Sequence, residues 1–156
     1  MKQATYTRCV RPAAAAMARV HIAVHRATGG RVGRRWRGGE VAMLATVGRH
    51  THQRRTTPLV CLRDGTNIVV VASNGGSDRA PEWWLNLQHH PFAEVELEGR
   101  SRPVIAEEAV ADTYLRLSRR FAEAFPCFDV YRSRTRRVLP VIVLRPAPPG
   151  RGLGTV

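Results

Sequence analysis

Between Gly48 and Leu59 the chain reads GRHTHQRRTTPL. Arg49, Arg54 and Arg55 fall there beside His50, His52, Thr51, Thr56 and Thr57. Guanidinium groups are planar forks that match phosphate or carboxylate oxygens. Threonine hydroxyls add donors, and Gly48 permits a close backbone approach. The chemistry on offer is an oxyanion cradle, although a solvated loop fits the same residues. A second stretch, Ser73-Asn74-Gly75-Gly76, closes an apolar run and leads toward a helix start at Pro81. Small residues there let backbone N–H groups come near a ligand, and a helix N-terminus favours anions. Neither G-x-G-x-x-G nor a Walker pattern is present, so a Rossmann or P-loop site is unsupported. Tyr131 is a third candidate, a proton or hydrogen-bond donor with Arg134, Arg136 and Arg137 close behind it. Taken alone, packing explains that tyrosine better.

Metal chemistry finds little support. His50-x-His52 and His89-His90 have no carboxylate or cysteine partner at ligand spacing. Gly-x-Ser-x-Gly and His-Glu-x-x-His are absent too. Cys9, Cys61 and Cys127 are odd in number and far apart, a pattern that suits a reducing compartment rather than a disulfide framework.

Elements must bring these groups together. With 156 residues, the chain has the length of one domain. Its organisation reads as a tail over 1–12, a domain over 13–146 with an N-terminal amphipathic helix, and a Pro/Gly-rich disordered tail over 147–156. The helix expected over 13–28 puts Met17, Val20, Val24 and Ala27 on one face, opposite Arg19 and Arg26. It suits packing on its own domain, or lying on an acidic membrane surface. VAMLATV, 41–47, is the continuous apolar run of a buried strand. Residues 58–64 and 67–73 read as a hairpin around Asp64-Gly65-Thr66. AEVELEG, 93–99, alternates as a half-buried antiparallel strand does. Further strands are expected over 101–109 and 138–146. Helices are expected over 81–90, between Pro81 and Pro91, and over 111–124, where Tyr114, Leu117, Phe121 and Ala124 form a stripe. Short sequential strands with flanking helices predict a small antiparallel barrel.

Net charge is +13, and it is uneven. Residues 1–56 hold 12 Lys/Arg against one acid, Glu40, whereas residues 57–156 hold 13 against 11. The excess argues for an anionic partner near the first third of the chain. One lysine among the 25 cations offers a blander account, a GC-rich coding bias. A signal peptide is not expected, because Arg19 and His21 cut the alanine-rich run at 13–18. No stretch has the roughly 18 apolar residues that cross a bilayer.

Three segments in order, ATVGRHTHQRRTTPLVCLRDG, IVVVASNGGSDRAPEWWLNLQHHPFAEVELEGR and FPCFDVYRSRTRRVLPVIVL, resemble the deazaflavin-dependent nitroreductase family over about residues 18–146. The resemblance implies a split β-barrel of about six antiparallel strands with flanking helices. It also implies coenzyme F420, and hydride transfer to quinones, nitroaromatics or activated double bonds. Its first motif, G-R-K-S-G-x-P-R-x-T-P-L, maps onto Gly48, Arg49, His50, Thr51, Arg55, Thr57, Pro58 and Leu59. With Thr56 and Val60 alongside, these would line the coenzyme's phosphate and polyglutamate tail. Val71, Ala72, Ser73 and Asn74 would flank the deazaflavin together with Glu82, Trp83, Trp84, Leu85 and Asn86. Tyr131 matches a family tyrosine near coenzyme and substrate, and Ser73 is a second group to polarise the acceptor. The sequence departs from the family at His50 for lysine, His52 for glycine, Arg54 for proline and Phe128 for a second tyrosine.

The resemblance implies a cytoplasmic enzyme, monomer or homodimer, with a small hydrophobic electron acceptor. Residues 13–28 offer peripheral contact at the inner face of the membrane. Two rival readings stay open at this point. The barrel could hold FMN instead, or the chain could be a basic module for nucleic acid or membrane. The RNA-type aromatic signature is absent and only 6% of residues are aromatic, so no specific nucleic-acid partner is expected.

Overall fold

The computed structural model describes residues 35–36, 39–148 and 150–153. The expected tail at 1–12 and helix at 13–28 lie outside them. The strands are β1 (Arg35–Trp36), β2 (Gly39–Val47), β3 (Arg54–Asp64), β4 (Asn67–Val71), β5 (Phe92–Leu97), β6 (Arg100–Glu108) and β7 (Val141–Pro146). The helices are α1 (Glu82–His89), α2 (Ala111–Ala124) and α3 (Cys127–Ser133). All pairings are antiparallel. The sheet runs β1-β2-β3-β4-β7-β6-β5, and a further β2–β5 pairing closes six of its strands into a barrel.

Alternation decides what faces the barrel interior. Ala42 and Leu44 of β2, Cys61 of β3, Ile68 and Val70 of β4, Ala93, Val95 and Leu97 of β5, Val104 of β6, and Ile142 and Leu144 of β7 form one buried cluster. Trp83, Trp84 and Leu87 of α1 join it. Fully burying a leucine of this kind contributes about 2 kcal/mol. β5 carries the expected pattern, with Glu94 and Glu96 outward and half-buried. β2 reads as continuously apolar because Val41, Met43 and Ala45 on its other face are buried too. A second cluster covers the outer face of β4 and β7, where Val69, Val71, Val141 and Val143 pack against Leu117 and Phe121 of α2 and Phe128 of α3. Burial pushes the Cys61 thiol up to about 12, which leaves it a packing group at neutral pH.

Several boundaries differ from the sequence expectation. β3 begins at Arg54 rather than Pro58, because its polar first residues pair with β2 (Val47↔Arg54 to Leu44↔Thr57). β4 ends at Val71, and β7 starts only at Val141. Helix α3 occupies a stretch that carried no expected element. In α2, Leu117 and Phe121 are buried as expected, but Ala124 is exposed and Ser118 is buried instead. The described residues past β7 contact the barrel. Ala147 N–H donates to the Pro103 carbonyl at 3.0 Å, and the Arg151 guanidinium lies 6.0 Å from the Phe92 ring centroid. No helix among the described residues is long and apolar enough to cross a membrane.

The β3–β4 turn is tied to α2 by charge. Asp64 accepts a bidentate pair from Arg116 at 2.9 Å and a further bond from Arg120. Those hydrogen bonds hold the Asp64 carboxyl well down, at about 2. An unfolded aspartate titrates near 3.9. The lowered folded value stabilises the protein above about pH 4, and that contribution is lost as pH falls through about 2. Because the pair is partly screened by water, Asp64→Asn is expected to cost only about 1 kcal/mol at neutral pH. Thermal melts should show Tm lowered by about 2–4 °C at pH 7, with the gap closing between pH 4 and 2.

Candidate functional site

The turn between β2 and β3 is built on Gly48. Its N–H donates to the Gln53 carbonyl at 2.9 Å, and its carbonyl accepts from His52 N–H at 2.7 Å. A Cβ at Gly48 would stand 2.5 Å from Thr51 Oγ1. Asn86 of α1 holds this turn in place. Its Oδ1 accepts from Arg49 N–H at 3.1 Å and from Arg49 Nη1 at 3.4 Å, while its Nδ2 donates to Thr46 Oγ1 at 3.2 Å. Thr46 and Asn86 are both buried. Arg49 also donates to Glu82 Oε2 at 2.7 Å. Loop and helix are therefore one rigid corner.

Beyond that corner the barrel wall opens. β3 has 11 residues and β4 has five, so their ladder ends at Cys61↔Val70. From Arg54 to Val60, β3 pairs with β2 along one edge and leaves the other edge outside the β3–β4 ladder. Pro58, which lacks an N–H, is tolerated in such a one-sided stretch. Arg55, Thr57 and Leu59 alternate with Thr56, Pro58 and Val60, so the two sets face opposite sides. Leu59 packs on the barrel core, and Val60 on the cluster under α2 and α3.

The chain leaving β4 continues past the end of that ladder. Ser73 is half-buried, Asn74 is exposed, and Asn74–Gly76 make a single 3-10 turn. Asn74, Gly75 and Gly76 take positive φ values of 47°, 63° and 80°. The Ala72 N–H reaches the Pro140 carbonyl at 2.9 Å, and the Arg137 side chain donates to the carbonyls of Ala72, Ser73 and Ser77. Gly76 abuts α3, and a Cβ there would lie 2.5 Å from the Tyr131 carbonyl oxygen. Tyr131 is thus fixed against the loop, with its ring centroid 6.2 Å from that of Phe125.

A family model for the F420H(2)-dependent quinone reductases matches residues 17–146. The chain belongs to that family. An F420H(2)-dependent quinone reductase of Mycobacterium tuberculosis strain H37Rv is 38% identical over 130 residues, which cover 81% of this chain and 87% of that relative. Among solved structures, the F420-H2 dependent reductase FDR-A matches with a TM-score of 0.63 at 24% identity, covering 67% of this chain and 93% of that one. A domain-swapped dimer matches at 0.66 and 22% identity, covering 86% and 99%. These two likenesses bear on the fold, the split barrel that the sequence resemblance implied.

Within this quinone reductase family fold, the expected site residues divide by environment. Arg49, His50, Thr51, Arg55, Thr56, Thr57, Pro58, Leu59 and Val60 follow one another along the turn and the open arm of β3. Val71, Ala72, Ser73 and Asn74 line the departure from β4, and Tyr131 stands behind them. Glu82 is exposed and Leu85 half-buried at α1. Trp83, Trp84 and Asn86 are 5%, 6% and 5% exposed, so they shape the corner from inside.

The departures from the family pattern also find their places. His52 has φ 54°, a left-handed value that glycine adopts more easily. Arg54 makes a bidentate pair with Glu94 at 3.0 and 3.1 Å on the outer barrel face, and Ser101 shares that carboxylate. Phe128 is 1% exposed, 5.4 Å from the Phe121 ring, so its position belongs to the core. Thr46 was no candidate in the sequence, and Arg137 stood there only as charge close behind Tyr131.

Proposed function

We propose that this chain is an F420H2-dependent oxidoreductase that passes hydride from reduced deazaflavin to a quinone, a nitroaromatic or an activated double bond. Alongside family membership, the observation that carries this is the state of the arginines at the mouth of the open arm. Arg54 is matched by Glu94 and Arg49 by Glu82. Arg55 is exposed and donates to the neutral Gln53 Oε1 at 3.1 Å, and among the described residues it meets no carboxylate. A guanidinium so placed suits an anionic ligand. The donor set fits a coenzyme with a phosphodiester and carboxylate tail.

The coenzyme supplies the hydride chemistry; the chain supplies binding, orientation and exclusion of water. Arg55, His50 and Thr51 hold the anionic tail. Arg49 joins them by exchanging Glu82, which is 66% exposed, for the ligand, at small cost for a surface pair. Thr57 and Leu59 continue that cradle along one face of the β3 arm, with Thr56, Pro58 and Val60 bordering it from the other, and Val71, Ala72, Ser73 and Asn74 flank the ring. Trp83, Trp84, Leu85 and Asn86 support the corner. Tyr131 and Ser73 donate hydrogen bonds to the acceptor oxygen.

Titrating purified protein with coenzyme F420 and following its fluorescence tests the reading. Absence of saturable binding at micromolar coenzyme overturns it, and a co-purifying yellow chromophore would favour FMN. Arg55→Ala is expected to weaken binding about tenfold, and His50→Ala only about two- to threefold, because an imidazole lacks the bidentate fork of a guanidinium. A larger loss from His50→Ala would reverse these assignments.

A quinone acceptor partitions into membranes, and residues 13–28 carry the amphipathic pattern for peripheral contact. Flotation with anionic liposomes, with and without residues 1–28, tests that part. Identical partitioning removes it.

A further inference from the structure

Arg137 lies in the segment joining α3 to β7, outside the loops that carry the coenzyme reading. Its Nη2 donates to the carbonyls of Ala72 at 2.9 Å and Ser73 at 2.8 Å, and its Nε to that of Ser77 at 2.8 Å. The neighbouring contacts brace this arrangement. Arg137 N–H donates to Thr135 Oγ1 at 3.3 Å, and the Thr135 hydroxyl donates to Asp78 at 2.7 Å. Among the described residues no carboxylate pairs directly with the guanidinium, and Asp78 acts on it only through space. A half-buried cation is therefore balanced by three peptide dipoles. If packing were its whole purpose, an apolar side chain of similar volume would serve without the desolvation cost.

The consequence lies on the other side of those peptides. A trans peptide sets its C=O and N–H in opposite directions, and no cis bond occurs among the described residues. With the carbonyls of Ala72 and Ser73 turned onto Arg137, the N–H groups of Ser73 and Asn74 point away from it. Ser73 has right-handed angles (φ −76°, ψ −34°), and Asn74 follows at φ 47°. A right-handed residue followed by a left-handed one gathers successive N–H groups into a concavity for an electron-rich oxygen. Ser73, Asn74 and Gly75 supply those donors.

We propose that Arg137 is a positioning residue for the coenzyme: it fixes and polarises the two peptides that carry the Ser73 and Asn74 N–H groups, so that these donors, with the Gly75 N–H beside them, receive a carbonyl oxygen of the deazaflavin's pyrimidinedione ring. This deepens the F420 reading and rests on it. Reduced deazaflavin holds more negative charge on that N–C=O unit than the oxidised form does. Donors backed by a cation therefore favour the reduced coenzyme.

Two arms test this, using the full chain with Arg137→Met and Arg137→Lys, each checked for a retained melting transition. In the first, dissociation constants are measured for oxidised and reduced coenzyme F420. Arg137→Met is expected to lose about tenfold for the reduced form and about threefold for the oxidised form, with Arg137→Lys between Arg137→Met and wild type. Equal losses for both forms would mark a merely structural prop, and unchanged constants would remove any role; either result overturns the proposal. The second arm needs no coenzyme. Amide hydrogen exchange of the free protein should show Gly76 and Ser77, whose N–H groups close the turn onto Ser73 and Asn74, losing about tenfold protection in Arg137→Met while barrel amides keep theirs. Unchanged protection overturns the proposal even if the wild-type chain binds no deazaflavin. Absence of wild-type binding combined with the expected exchange result sinks the functional reading and, with it, the coenzyme half of this one.

Discussion

Gly76→Ala is expected to lower stability by about 3 kcal/mol, and Tm by about 10 °C. Two effects add. At φ 80° an L-residue with a Cβ is strained, which alone costs about 1–2 kcal/mol. The new methyl would also stand 2.5 Å from the Tyr131 carbonyl oxygen and 2.9 Å from Arg134 Cβ, and the nearer of these is backbone that cannot swing aside. Either the turn or α3 must move. Gly65→Ala is the control. Gly65 has φ 63°, with nothing within 4 Å of the added Cβ, so only the conformational cost applies there. A Gly76→Ala melt within about 2 °C of Gly65→Ala would show that the contact with α3 is soft. Since this contact holds the turn against Tyr131, F420 binding should weaken in Gly76→Ala and persist in Gly65→Ala.

Asn86→Ala is the second large effect. It strands Thr46 Oγ1, which is fully buried, and takes the acceptor from the Arg49 N–H. Leaving buried polar groups unpaired costs about 1–3 kcal/mol each, so the expected loss is about 2–3 kcal/mol once water reaches the more exposed partner. The turn from Gly48 to Gln53 also loses its tether to α1, and coenzyme affinity should fall with it. Glu82→Gln touches the same arginine from the outside, at an exposed pair, and should change stability by no more than about 0.5 kcal/mol. Denaturant titration of both variants separates the two cases. Comparable losses would mean that the corner is held by charge rather than by the buried amide.

The sequence made some of these elements plain and hid others, for physical reasons. The alternation in β5 and the apolar run of β2 were visible because burial alone selects those side chains. Helix α1 was bracketed by Pro81 and Pro91. The first residues of β3, Arg-Arg-Thr-Thr, look like loop because pairing with β2, rather than a buried face, keeps them extended. Helix α3 spans seven residues, too few for a helical period to emerge around Phe128 and Tyr131. At the site, residue types told which groups could meet an anion, but not which were already taken. Arg54 and Arg55 are adjacent and chemically identical, yet one is matched by Glu94, 40 positions away, while the other is not. Arg137 was least legible, because its partners are carbonyls, and every residue has one.

The barrel is closed by an uneven set of joints. β2 and β3 share eight residue pairs, whereas β2 and β5 share three, Met43↔Glu96, Leu44↔Val95 and Ala45↔Glu94. The first belongs to a meander between neighbours in sequence; the second joins segments about fifty residues apart. Near contacts form early in folding, and distant ones wait for a long loop to close. This chain should therefore assemble as two wings, β2–β4 and β5–β6, joined late through two distant seams, β4–β7 with four pairs and the shorter β2–β5. That shorter seam is where thermal motion would first unzip the cylinder, leaving the β3 arm and its cradle attached to the β2–β4 wing.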